Sequence, residues 1–174
     1  MTEWVALLRG VNVGGITIRS AELRTLLTEL GLDDVRTFLA SGNAAFHSNR
    51  TAAQLKPAIE AALRERFGYD AWIVLVTRDE IVGAIAAFPF DSTDETRQPW
   101  VIFCVDDATL NELTDAASSL DSDADPVAPG PGVVYWNPQK GTTTDTPFAR
   151  VIARSVYKSR TTNRNLRTLQ KIVG

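Results

Sequence analysis

The 174 residues hold one cysteine and one histidine. A single cysteine excludes an internal disulfide and a zinc site built of thiolates. Cys104 lies inside the apolar run Val101-Ile102-Phe103-Cys104-Val105, the setting of a buried core thiol. His47 follows Phe46 near a strand end with no second histidine or cysteine beside it, so no metal site is expected, and the sequence names no cofactor. Long apolar runs are missing too. Val5 to Leu8 and Ile81 to Phe90 fall far short of the roughly 18 residues that span a bilayer. No basic leader with a cleavage site precedes the strand-like run at Trp4. The expectation is a cytoplasmic protein without a membrane partner.

What is present is a globular mixture, 44% apolar and 22% charged, enough to bury a core in one medium domain or two small ones. The formal charge of −3 conceals a division. Residues 79 to 125 carry twelve acidic side chains and one basic. Residues 146 to 174 carry seven basic side chains (Arg150, Arg154, Lys158, Arg160, Arg164, Arg167 and Lys171) and none acidic. Two readings stay open: an anionic partner for the tail, or two stretches that face each other in the fold.

Periodicity and punctuation divide the chain. A strand over Trp4 to Arg9 leads into a glycine-bearing loop, Gly10 to Arg19. A helix follows, capped by Ser20, with Leu23, Leu26, Leu27 and Leu30 at helical spacing and Gly31 as a left-handed stop. Val35 to Ala40 and Asn43 to His47 read as strands joined at Ser41-Gly42. Thr51-x-x-Gln54 is a capping box for a helix that Gly68 ends. Trp72 to Val76 is a further strand, and Thr77-x-x-Glu80 caps a helix that stops before Pro89.

The order then repeats. Trp100 to Val105 is a strand, Asp107 opens a helix, and a weaker strand near Pro126 to Ala128 meets Val133 to Trp136 across Gly130-Pro131-Gly132. Asp145 and Pro147 open the next helix, Val156 to Arg160 is the fourth strand, and Asn163 to Val173 the closing helix. The predicted class is α+β: two tandem ferredoxin-like βαββαβ units, each an antiparallel sheet with its helices on one face. Residues 1–88 form the first half with a trailing helix, 89–98 a polar link, and 99–174 the second half with a basic C-terminal helix.

In such a unit a right-handed crossover makes the first two strands run parallel, so their C-terminal ends share one sheet edge. That places the loop after the first strand, with Arg9, Asn12, Gly14 and Gly15, beside the hairpin of Ser41 and Asn43. Glycines admit close backbone approach, and the polar side chains offer charge and hydrogen bonds to a small anionic ligand. The loop has neither the G-x-G-x-x-G nor the G-x-x-x-x-G-K-[ST] spacing, and turns that satisfy their own backbone would look the same. In the closing helix Arg164, Arg167 and Lys171 share one face and Leu166, Leu169 and Val173 another. Arg164 and Asn165, near its start, are candidate ligand contacts.

Val5-Ala6-Leu7-Leu8-Arg9-Gly10-Val11-Asn12-Val13-Gly14-Gly15, Ser41-Gly42-Asn43, Phe67-Gly68, Pro89-Phe90 and Thr162-x-Arg164-Asn165-x-x-Thr168-x-x-Lys171 together resemble a bacterial family of proteins of unknown function, DUF1697. The resemblance implies two ferredoxin-like halves and no established activity. It also implies a Gly-x-Gly-x-Ser-Lys-like stretch before the penultimate helix. This chain has Gly141-Thr142-Thr143-Thr144-Asp145-Thr146 there, without the lysine.

Three functions compete. One is a binding protein for a small anionic or nucleotide-like ligand at the two loops. Another is an enzyme acting on a phosphorylated or polar metabolite in the same place, although the sequence shows no Ser-His-Asp set and no motif-placed carboxylate pair; Asp33 and Asp34 read as turn residues. The last is nucleic-acid binding through the basic C-terminal segment, which the net negative charge and the strand Ala44-Ala45-Phe46, poor in aromatics, disfavour.

Overall fold

A computed structural model of the chain describes residues 1–10, 16–39 and 42–174. The chain divides into two compact units, Met1–Ile81 with Lys171–Gly174, and Val82–Gln170.

In the first unit β1 (Thr2–Arg9) lies between β3 (Asn43–Ser48) and β4 (Trp72–Thr77), and β2 (Asp33–Phe38) flanks β3, giving the order β2-β3-β1-β4 with every pair antiparallel. Val5, Ala6, Leu7 and Leu8 are all buried, which is why β1 reads as a continuous apolar run rather than an alternating one. Ala6 and Leu8 face the helices α1 (Ser20–Glu29) and α2 (Ala52–Phe67). There they meet Leu23 and Leu27 of α1 and Leu55, Ile59 and Leu63 of α2.

Local signals set the helix ends. The Thr51 hydroxyl accepts the Gln54 N–H at 3.3 Å and the Gln54 side chain accepts the Thr51 N–H at 3.0 Å. Gly68 and Gly31 both have positive φ, 66° and 81°, as left-handed stops require. Ser20 is the first residue of α1 rather than its cap; the Arg19 N–H preceding it donates to the Glu22 carboxylate at 3.2 Å.

As the outer strand of its sheet, β4 would leave backbone groups unpaired, and α2 supplies their partners. Glu60 accepts the Ile73 N–H at 3.0 Å, and the Lys56 ammonium donates to the Ile73 carbonyl and to Glu60, both at 2.7 Å. One turn on, Arg64 donates to the Ala71 carbonyl at 2.9 Å and lies over the Trp72 ring, 4.6 Å from its centroid. The helix α3 (Arg78–Ala86) follows, its start closed by Thr77 and Glu80, each side chain accepting the other's backbone N–H.

The second unit has the sheet order β6-β7-β5-β8, again antiparallel throughout, with β5 (Trp100–Cys104), β6 (Val127–Gly130), β7 (Val133–Trp136) and β8 (Thr161–Asn165). Ile102, Val134 and Trp136 face the helices α4 (Asp107–Ser118) and α5 (Pro147–Ile152) and pack with Leu113, Phe148, Ile152 and Tyr157. Asp106 caps α4, accepting the Thr109 N–H at 2.8 Å and its hydroxyl at 2.6 Å. Asp125, 3% exposed, accepts the Trp136 indole N–H at 2.9 Å and the Phe148 N–H at 3.1 Å.

The end of the chain corrects two expectations. Val156 to Arg160 is not the fourth strand: Ser155–Tyr157 is a 3-10 turn, and the strand is Thr161–Asn165. Val156 is 55% exposed, whereas Tyr157 points into the helix-side core and Arg160 reaches back to α4, so the segment has no sheet-facing side. Thr161 and Thr162, each 2% exposed, pair instead with Cys104 and Phe103. The closing helix α6 (Leu166–Val173) therefore starts later than expected, and its buried stripe is Leu166, Leu169 and Ile172. Among the described residues, no helix is long and apolar enough to cross a membrane.

Candidate functional site

The pairing of β1 with its neighbours brings the strand ends that flank the expected loops to one end of the first sheet. Asn43 lies opposite both Leu7 of β1 and Phe38 of β2, and the Leu8 N–H donates to the Gly42 carbonyl at 2.9 Å. The C-terminal ends of β1 and β2 and the start of β3 thus coincide. Because Ala6 and Leu8 face the helices, Arg9 alternates to the opposite face, shared with Leu7 and its partner Asn43. Arg9 is half-buried, and desolvation lowers the pKa of its guanidinium.

Asn43 is 4% exposed, and its amide nitrogen donates to the Phe38 carbonyl at 3.1 Å. Its side chain clasps the β2–β3 hairpin from within. Leu39 in that hairpin has φ of 47° and is 46% exposed. A branched side chain in the left-handed region costs on the order of 1–2 kcal/mol, so the backbone is locally strained at Leu39, just after β2. Asn12, Gly14, Gly15 and Ser41 lie outside the described residues.

Arg164 and Asn165 belong to the second unit. Neither is on a helix. Arg164 sits in β8 opposite Val101, so it shares no helical face with Arg167 and Lys171. Its guanidinium donates to the Thr162 hydroxyl at 2.7 Å and to the Asn163 carbonyl at 2.8 Å, and desolvation brings its pKa down to about 10. Asn165 accepts the Arg167 N–H at 3.0 Å and so caps α6.

Asn165 also lines a cavity of about 530 Å3 wholly within the second unit. Its walls include Arg97, Lys140 and Arg167, and of these neither Arg97 nor Lys140 was singled out from the sequence. They are distant in the chain and are joined by a short backbone ribbon. The Gln98 N–H donates to the Pro138 carbonyl at 2.8 Å, the Lys140 N–H to the Thr96 carbonyl at 3.0 Å, and Arg97 bridges Gln139. An isolated bridge of this kind has no periodic signature. The only local cue is Gly141, whose φ of 85° turns the chain after Lys140.

The charge division is resolved in part within the second unit. Arg160 of the basic tail forms a two-pronged contact with Glu112 of the acidic stretch, 3.0 Å on each side, and its Nε donates to the Thr109 hydroxyl at 2.9 Å. Arg150, Arg154 and Lys158 remain exposed. Cys104 is half-buried, and burial, then the charge of Asp106, push its thiol up to about 12. It stays protonated and a poor nucleophile at neutral pH.

His47 lies 3.5 Å from the Asp34 carboxylate. Asp33, read as a turn residue, is the first residue of β2, while Asp34 has φ of 49° at the irregularity in the β2–β3 pairing. Among the described residues no group of three or more metal-ligating side chains converges. The Gly141 to Thr146 stretch ends in a helix cap, the Thr146 hydroxyl accepting the Ala149 N–H of α5 at 3.1 Å.

The fold is shared with the solved structure of a conserved bacterial protein from Streptococcus pneumoniae, SP0830. The TM-score is 0.82 at 24% sequence identity, and the match covers 99% of this chain and 97% of that one. No curated protein matches the chain. Residues 1–135 match the profile described as "Protein of unknown function (DUF1697)", and the chain belongs to that family.

Proposed function

We propose that the protein binds a small anionic or nucleotide-like ligand at the end of the first sheet, with Arg9 as the charged anchor. The observation that carries this reading is a partly desolvated arginine at the point where the ends of β1, β2 and β3 meet. A cation already stripped of part of its water gains more from an anion than a fully hydrated one does. Asn12, Gly14, Gly15 and Ser41 enter the proposal through their place in the chain, in the segments that leave β1 and join β2 to β3. Asn43 supports the site indirectly by holding the hairpin. The reading carries a cytoplasmic location with it, supported by a chain whose lone cysteine needs no oxidising compartment.

The test is calorimetric titration of the purified protein with inorganic pyrophosphate and with adenosine monophosphate, using wild type, Arg9→Lys and Arg9→Ala. A charge-assisted hydrogen bond is worth about 1.5–3 kcal/mol. Arg9→Ala should therefore weaken binding by more than tenfold, with Arg9→Lys in between. Equal affinity in wild type and a folded Arg9→Ala rejects the site.

A further inference from the structure

The cavity of the second unit stands apart from the Arg9 site and does not depend on it. Its two sides are fixed before any ligand arrives. One is the ribbon of residues 96–98 with 138–140, entered through two tight turns. In these, Asp91 and Asp94 each accept the N–H (2.9 Å) and the hydroxyl (2.6 Å) of the threonine two residues on. The other side is the start of α6, where the Leu166 N–H donates to the Pro99 carbonyl at 3.0 Å and Asn165 caps the next residue. A site built on backbone pairing loses little conformational freedom on binding.

The charges on those walls are only partly met: Arg97 and Lys140 act on the Asp94 carboxylate through space, after the stronger hydrogen bonds from Thr96, without a direct ion pair. Lys140 and Arg167 make no side-chain hydrogen bond or ion pair with any described residue. Arg97 donates only to neutral acceptors, the carbonyls of Asp123 at 3.2 Å and Asn137 at 3.4 Å. Against these three cations the lining sets two carboxylates, Asp94 and Glu95, and several neutral amides and hydroxyls, Gln98 and Gln170 among them. An anion satisfies the first group. Hydroxyl groups, which donate to carboxylates and exchange hydrogen bonds with amides, satisfy the second, as in the recognition of ribose by acidic side chains. A cavity of about 530 Å3 has the size of a small-molecule site rather than of a single ion.

We propose that this cavity binds a phosphorylated sugar, the phosphate taken by Lys140 and Arg167 and the sugar hydroxyls by Asp94, Glu95 and the neighbouring amides. Lys140 comes from the ribbon and Arg167 from the start of α6, so the phosphate would join the two segments.

The experiment is a titration of the 15N-labelled full chain with ribose 5-phosphate, with inorganic phosphate and with ribose, read at the backbone amides of Gln98, Lys140 and Arg167. Ribose 5-phosphate should shift these amides saturably and bind at least tenfold more tightly than either fragment. Lys140→Gln with Arg167→Gln should weaken it by more than tenfold. Arg150→Gln with Arg154→Gln, which removes the same charge elsewhere in the unit, should leave it unchanged. The proposal is overturned if these amides do not saturate, if inorganic phosphate binds as tightly as the sugar phosphate, or if both double variants lose affinity equally. Each outcome is separate from that of the Arg9 series, because the amides report the second unit alone.

Discussion

Asp125 holds the Trp136 indole N–H at 2.9 Å in a place that is almost entirely closed to solvent. Its second oxygen takes the Phe148 N–H, the kind of donor that the first turn of a helix leaves without an intrahelical partner. One carboxylate thus joins β7 to the start of α5. Asp125→Ala strands two buried donors, each costing about 1–3 kcal/mol. Asp125→Asn offers one acceptor where two are needed. Urea unfolding should rank wild type above Asp125→Asn and Asp125→Ala lowest. A stability equal to wild type in the alanine variant would show that the two donors find other partners.

At the edge of the first sheet, Glu60 performs a comparable service for Ile73. Glu60→Ala leaves the Ile73 N–H without its acceptor and Lys56 without its counter-charge. The expected loss is about 1–3 kcal/mol, with faster hydrogen exchange at the Ile73 amide than at Val74. Unchanged exchange at Ile73 would mean that the edge is protected by something other than α2.

The acid limb of stability should show the cap of α4. The Thr109 hydroxyl, then its backbone N–H, hold the Asp106 carboxyl below its ordinary 3.8. A carboxyl whose pKa is lower folded than unfolded adds stability that is complete above the unfolded value and disappears as the pH falls through the folded one. Asn caps a helix about as well as Asp but does not titrate. The difference in urea midpoint between wild type and Asp106→Asn should therefore hold steady from pH 7 to 5, begin to shrink near 3.8, and level off below the folded value. A difference independent of pH would remove the cap from the account of acid stability.

How far the sequence was legible depended on how local each signal is. Thr51 with Gln54, Gly31 and Gly68 act within a few residues of themselves, and the structure uses them as read. Tyr157 and Val156 have strand-like side chains, yet their segment turns because Tyr157 finds its burial among the helices. The strand that forms is Thr161-Thr162-Asn163-Arg164-Asn165, too polar to announce itself. It is chosen by pairing with β5 rather than by its own pattern. That the end of β1 lies beside the ends of β2 and β3 followed from crossover handedness alone, whereas Arg97 and Lys140 meet through a bridge of a few backbone bonds that no periodicity reveals.

The first unit closes with residues from the far end of the chain: Lys171–Gly174 belong to it, and the Arg78 guanidinium donates to the Val173 carbonyl at 2.5 Å. On the ribosome, Met1–Ile81 emerges and can form its sheet long before Val173 exists. The nascent first unit therefore lacks these partners throughout synthesis of everything between, and its contacts with residues 171–174 form only after those residues leave the exit tunnel. Closing so long a loop adds only logarithmically to the entropic cost, so the delay is one of timing rather than of stability. A chain released before residue 171 would have its first sheet built but the Arg78 guanidinium without the Val173 carbonyl.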